Sequence, residues 1–147
     1  MNVNKEYDLE RFISAQERDY DTALNEMKAG HKVNHWIWYI FPQLAGLGTS
    51  YASNYYGIVN SEEAKCYLAH PVLGARLFEI TETILNLKDN DPLKLMGSQI
   101  DKIKLQASMT LFAYVSGKDS IFARVLEKYF GWKTHDETIS MLNHADN

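Results

Sequence analysis

The sequence predicts an all-α fold, and three observations carry the prediction. Apolar residues recur at three- and four-residue steps along most of the chain. Residue pairs with the spacing of helix caps recur between those stretches. No segment alternates strictly between apolar and polar residues, and no Asn-Gly or Asp-Gly hairpin signal occurs. The expected architecture is one compact domain over residues 1–147, with its core over about 8–142, built as an irregular array of about six to eight helices.

The first helix is expected from about Asp8 to Ala29. Leu9, Phe12, Ile13, Gln16, Tyr20, Ala23, Leu24 and Met27 then share one face; Asp8 caps the start, and Gly30 supplies a left-handed close. The apolar run His35–Phe41 suits either a buried strand or a buried helix. Its helical company favours helix, and Pro42 ends it. Gln43–Thr49 carries two glycines and reads as a loop, followed by one or two helical turns over Ser50–Tyr56 closed by Gly57. Asn60 and Glu63 have capping-box spacing for a helix through Tyr67 and Leu68. Pro71 suits the first turn of a helix carrying Leu73, Leu77, Ile80 and Ile84. Asp91-Pro92 starts a short helix ending near Gly97; Ile100–Val115 and Ser120–Phe130 are two more, the second closed by Gly131. Thr134 and Glu137 repeat the capping-box spacing before Ile139 and Leu142.

Composition narrows the function classes. A hydrophobic share of 46% with plentiful aromatics supports a packed core and excludes a disordered chain. The net charge of -4 offers no basic footprint for nucleic acid and no polybasic patch for an anionic membrane, so neither partner is expected. One cysteine, Cys66, excludes an internal disulfide framework; beside Tyr67 on a helix it reads as a small core group. The polar Met1–Glu10 stretch holds no apolar signal core and no run suits a membrane span, which places the protein in the cytoplasm by default. Nothing in the pattern selects an oligomeric state.

Chemistry concentrates in two segments. His31–Gly57 combines histidines, tryptophans and tyrosines with Phe41, Gln43 and glycines, the material that lines small-molecule pockets and also the material of a small core. Trp36 and Trp38, two residues apart on a helix, point about 200° away from each other, so one should be buried while the other borders a pocket or the surface. His31 and His35 have half the spacing of a zinc helix, but no glutamate follows His31 and no third ligand is nominated; one surface and one buried histidine is the simpler expectation, and no metal is expected. Gly46–Ser50 resembles a phosphate loop only loosely, and Ser50 suits a helix cap better. In the second segment, Lys104, Ser108 and Phe112 share a helix face, with Asp101 three residues before Lys104. That set suits anion binding or catalysis, or else an intrahelical Asp101–Lys104 pair with Ser108 bonded to its own backbone.

The order of specific blocks resembles the bacterial domain-of-unknown-function family DUF1810, sometimes labelled calpastatin. The blocks are Asp8-Leu9-x-x-Phe12 with Ala15-Gln16, the run His35–Gln43, Gly46-Leu47-Gly48 with Ser50, Tyr56-Gly57-Ile58, Glu63-Ala64, Tyr67-Leu68, His70–Gly74, Arg76-Leu77, Asp101, Lys104-Leu105 and Ser108–Phe112. The resemblance implies a mainly helical domain and carries no established activity. The inhibitor called calpastatin is a disordered Pro/Ser/Lys-rich type of chain, which this one is not. Gln106 stands where the family usually has arginine, and Tyr51–Asn54 lacks a frequent basic residue.

Three expectations follow. The first is a small-molecule or nucleotide-like ligand-binding protein, with a site drawn from His35, Trp38, Gln43, Ser50, Asp101, Lys104 and Ser108; an enzyme on this plan would be a hydrolase or transferase, and no cofactor is expected because no cofactor fingerprint occurs. The second is a protein-interaction module using exposed aromatics. The third is a purely structural role, with each of these polar groups bonded internally.

Overall fold

The computed structural model describes residues 7–146. Among them the chain forms nine helices: α1 Glu10–Ala29, α2 Ile37–Ile40, α3 Tyr51–Tyr55, α4 Ser61–Ala69, α5 Pro71–Leu85, α6 Pro92–Met96, α7 Gln99–Ser116, α8 Ile121–Phe130 and α9 Asp136–Asp146. The all-α class stands, with one helix more than the upper expectation, because the apolar and glycine-rich stretches contribute short separate turns. An isolated parallel bridge between Leu44 and Ile58 is the β-type pairing among the described residues.

Local chemistry sets most boundaries. Asn60 accepts from the Glu63 N–H at 2.9 Å, and the Glu63 carboxylate accepts from the Val59 N–H at 2.8 Å, one residue earlier than the standard reciprocal bond. Asp91 caps α6, with Pro92 in its first turn. Ser98 and Ser120 cap α7 and α8 through their hydroxyls. Gly30, Gly97 and Gly131 close α1, α6 and α8 in the left-handed region.

Two expected caps are corrected. Leu9, not Asp8, precedes α1, with no side-chain bond, and Asp8 gives its backbone carbonyl to Arg11. At α9 the His135 ring accepts from the Thr138 N–H at 3.3 Å, taking the role expected of Thr134. The run from His35 also yields less helix than expected. Only Ile37–Ile40 are helical; just upstream, the Val33 and Asn34 N–H groups are held by a side chain from α1.

The core is continuous. Phe12, Trp36, Phe41, Tyr67 and Phe112 are fully buried within it, as are Leu73, Leu77 and Ile80 from α5. α7 is its central member, packing on α2, α4, α6, α8 and α9, while α5 joins α1, α4 and α8. Cys66 is buried in this core. A charged pair lies within the same interior: Arg11 meets Glu63 at 2.9 Å, with side chains 8% and 1% exposed, and donates to the Tyr55 and Gly57 carbonyls at 2.8 and 2.9 Å. Such a pair is tolerable in low dielectric only because the remaining donors are satisfied. It ties α1 and α4 to the chain between α3 and Ile58, which forms one wall of the cleft described next.

Candidate functional site

The 30–36 segment is organised by one carboxylate. Glu26 accepts from the backbone N–H groups of Val33 and Asn34 at 2.7 and 3.0 Å, from the Trp36 indole at 2.9 Å, and from the Asn34 amide. Burial alone would raise its pKa, but these four donors outweigh it and hold the carboxyl down to about 2. Trp36 is thereby fixed in the core, 1% exposed. Lys32 follows the same logic: its ammonium lies 5.0 Å above the Trp36 ring and 2.8 Å from Asp101.

Trp38 turns the other way. It is half-buried and borders a cleft of about 380 Å³. One wall holds Trp38, Gln43, Leu44, Leu47 and Gly48; Ser53, Tyr56 and Gly57 form another; Ile100, Ile103, Lys104 and Ala107 of α7 close it, with His135 and Glu137 at the start of α9. The first two walls are bound by the bridge in which Ala45 donates to Ile58 and Ile58 to Gln43, at 2.8 and 2.9 Å. This approach requires glycine at 57, where a Cβ would stand 2.6 Å from the Ala45 backbone.

Polar groups on the cleft are few. Lys104 holds its ammonium 5.0 Å above the Trp38 ring, and no carboxylate among the described residues pairs with it. The Trp38 indole N–H has no hydrogen-bond partner. Gln43 donates its amide to the Phe41 carbonyl at 3.0 Å, which leaves its side-chain oxygen as an acceptor. His135 is fixed twice: its backbone N–H donates to the Thr110 hydroxyl at 2.9 Å, and its Nδ1 faces the Thr138 hydroxyl at 2.8 Å and N–H at 3.3 Å. A backbone N–H can only donate, so Nδ1 is the accepting nitrogen and Nε2 carries the hydrogen.

The seven residues singled out from sequence therefore separate. Trp38, Gln43 and Lys104 meet on the cleft. His35 is exposed and lies elsewhere, by Asp19, Thr22 and Asn34. Ser50 caps α3, accepting from the Ser53 N–H at 3.1 Å. Asp101 belongs to Lys32, which corrects the expected intrahelical pair with Lys104. Ser108 is fully buried, does not line the cleft, and has no partner for its hydroxyl. The expected bond from a mid-helix hydroxyl to its own backbone occurs instead at Thr110, to the Gln106 carbonyl at 2.7 Å.

The expected histidine pair is corrected too. His31 and His35 share no helix, both are exposed, and His31 bonds the Lys94 carbonyl. Among the described residues no three His, Cys, Asp or Glu side chains cluster as metal ligands. Gln106 points its amide to the Lys133 carbonyl, and it does not line the cleft. Sequence reading missed His135 and Glu137; the cap before Ile139 was legible, but its approach to α7 was not.

Fold and cleft together define an all-α protein with an amphipathic cleft between a glycine-rich loop and its central helix, α7. The family model described as "Protein of unknown function (DUF1810)" matches residues 6–142, and the chain belongs to that family. It is similar to the crystal structure of the conserved hypothetical protein Rv1873 from Mycobacterium tuberculosis, with 39% sequence identity and a TM-score of 0.90 over 94% of this chain and 98% of that one. No curated protein matches the chain. No helix among the described residues is long and apolar enough to cross a membrane.

Proposed function

We propose that the cleft binds a small organic molecule and that the protein acts as a ligand-binding protein. The carrying observation is the contrast inside the cleft: an apolar and aromatic lining surrounds an ammonium with no carboxylate partner. Ligand pockets have this composition, apolar walls with a few orienting polar groups, and their volumes start near about 300 Å³. A planar ring is the body such a lining suits, which includes nucleobase-like rings.

Binding is favoured over turnover because nucleophile and base are not paired here. The Ser53 hydroxyl is engaged by Ser50 at 2.9 Å, and the accepting nitrogen of His135 is occupied by Thr138. The test is a thermal-shift screen of small aromatic fragments on the unmodified protein and on Ile103→Trp. Ile103 is 41% exposed at the cleft mouth, so a larger ring there can obstruct entry while the core stays intact. Fragments that raise the melting temperature of the unmodified protein and not of Ile103→Trp support the reading. A screen without a stabilising fragment removes it.

A further inference from the structure

We infer that the cleft selects organic anions, taking a carboxylate or phosphate carried on a planar apolar body, with Lys104 as counter-ion and His135 Nε2–H as a second donor. The inference rests on the binding reading above and adds the charge of the ligand.

Three other buried or half-buried cations are each held by oxygen acceptors. Lys32, also 5.0 Å from a tryptophan ring, has Asp101 at 2.8 Å. Arg11 has Glu63 at 2.9 Å together with backbone carbonyls. Lys128 donates to the Leu85 carbonyl at 2.9 Å and to that of Leu87. Lys104 is as close to an indole as Lys32 is, yet it has neither a carboxylate nor a carbonyl acceptor among the described residues. A ring face stabilises a cation through its quadrupole but does not replace an oxygen acceptor.

The cleft's donors point to the same ligand. Lys104 offers N–H groups, and His135 offers Nε2–H because Thr138 occupies Nδ1. An oxyanion is the acceptor shared by such a set, and a carboxylate or phosphate meets it equally well. The Gln43 oxygen is the complementary group, able to take an N–H from the ligand's ring. Glu137, exposed at the start of α9, is the one acid among the described residues that line the cleft. It weakens anion binding through its field and so gives the inference a second handle.

The test uses two pairs that differ in charge. Indole-3-propionate is compared with indole-3-propionamide, and adenosine 5′-monophosphate with adenosine, by calorimetry on the full chain at low salt. The expected result is that the anion of at least one pair binds about tenfold or more tightly than its neutral partner. The pair that responds tells carboxylate from phosphate. Lys104→Met should abolish the difference, Lys104→Arg should keep it, and Glu137→Gln should tighten the anion about two- to threefold.

Several outcomes overturn the inference. Neutral members binding as tightly as anions would do so, as would a charge preference that survives in Lys104→Met. Loss of affinity in Glu137→Gln would mean that the site takes a cationic group. Binding of neither pair also removes the anion assignment. The fragment screen separates the two failures: a neutral fragment excluded by Ile103→Trp keeps the binding reading while the anion inference falls.

Discussion

Two lysines in this protein stand the same distance from two tryptophans and lead different lives. Lys32 over Trp36 and Lys104 over Trp38 are each 5.0 Å from the ring centre. Around the first pair everything is satisfied: Asp101 neutralises the ammonium, Glu26 takes the indole N–H, and the lysine and tryptophan are 6% and 1% exposed. Around the second pair no carboxylate among the described residues pairs with the ammonium, the buried indole N–H has no partner, and the ring edges a cleft. The difference teaches that a cation–π contact by itself does not report a role. What separates a fold-holding lysine from a ligand-facing one is whether the protein supplies its oxygen partner.

The largest effect expected from breaking this comparison is at the rings. Trp36→Ala should cost about 3–5 kcal/mol of unfolding free energy, as for other buried aromatic truncations. Trp38→Ala should cost less than half as much, because part of its ring already faces solvent. Urea titrations of both variants check this, and equal costs would place the two rings in equivalent surroundings.

Next comes the partner of Lys32. Asp101→Asn strands an ammonium whose side chain is 4% exposed, and a loss of about 1–3 kcal/mol is expected. Lys104→Met should change stability by less than about 1 kcal/mol, since only a partly solvated ring contact and no ion pair is lost. A Lys104 variant as damaging as the Asp101 variant would erase the distinction.

The Trp36 side also carries an acid signature. Glu26 has its folded pKa depressed to about 2 from an ordinary 4.5. Its contribution to stability is therefore complete above the unfolded value and is lost as pH falls through that window towards about 2. Glu26→Gln should be less stable than the unmodified protein at neutral pH, and the gap should narrow as the medium is acidified below about 4.5. Denaturation midpoints at pH 7, 4 and 3 measure it, and a gap independent of pH would mean that Glu26 works by shape alone.

Much of the helical plan was legible because its causes are local. Asn60 with Glu63, Asp91 with Pro92, Ser120, Pro71 and the closing glycines at 30 and 131 act within a few residues of where they stand. The failures are where a distant group takes over. The run His35–Phe41 suited strand or helix and its company favoured helix, but only Ile37–Ile40 are helical, and Glu26 takes the Trp36 indole just before them. Thr134 had the right spacing for a cap, and the His135 ring displaced it.

The sequence by itself determined that this is a helical protein with an aromatic core, since periodicity and capping are read from neighbours along the chain. It also implied that Trp36 and Trp38 would part, one into the core and the other toward a pocket or the surface, although Trp36 lies just before the helix Ile37–Ile40. Only the tertiary structure decided which one. The same holds for the carboxylate: Asp101 lies three residues from Lys104 but pairs with Lys32, 69 residues away. It likewise brought His135 and Glu137 to α7. Spacing on a helix limits which side chains can meet, but desolvation and packing between helices choose the partner, and that choice left Lys104 without a carboxylate partner among the described residues.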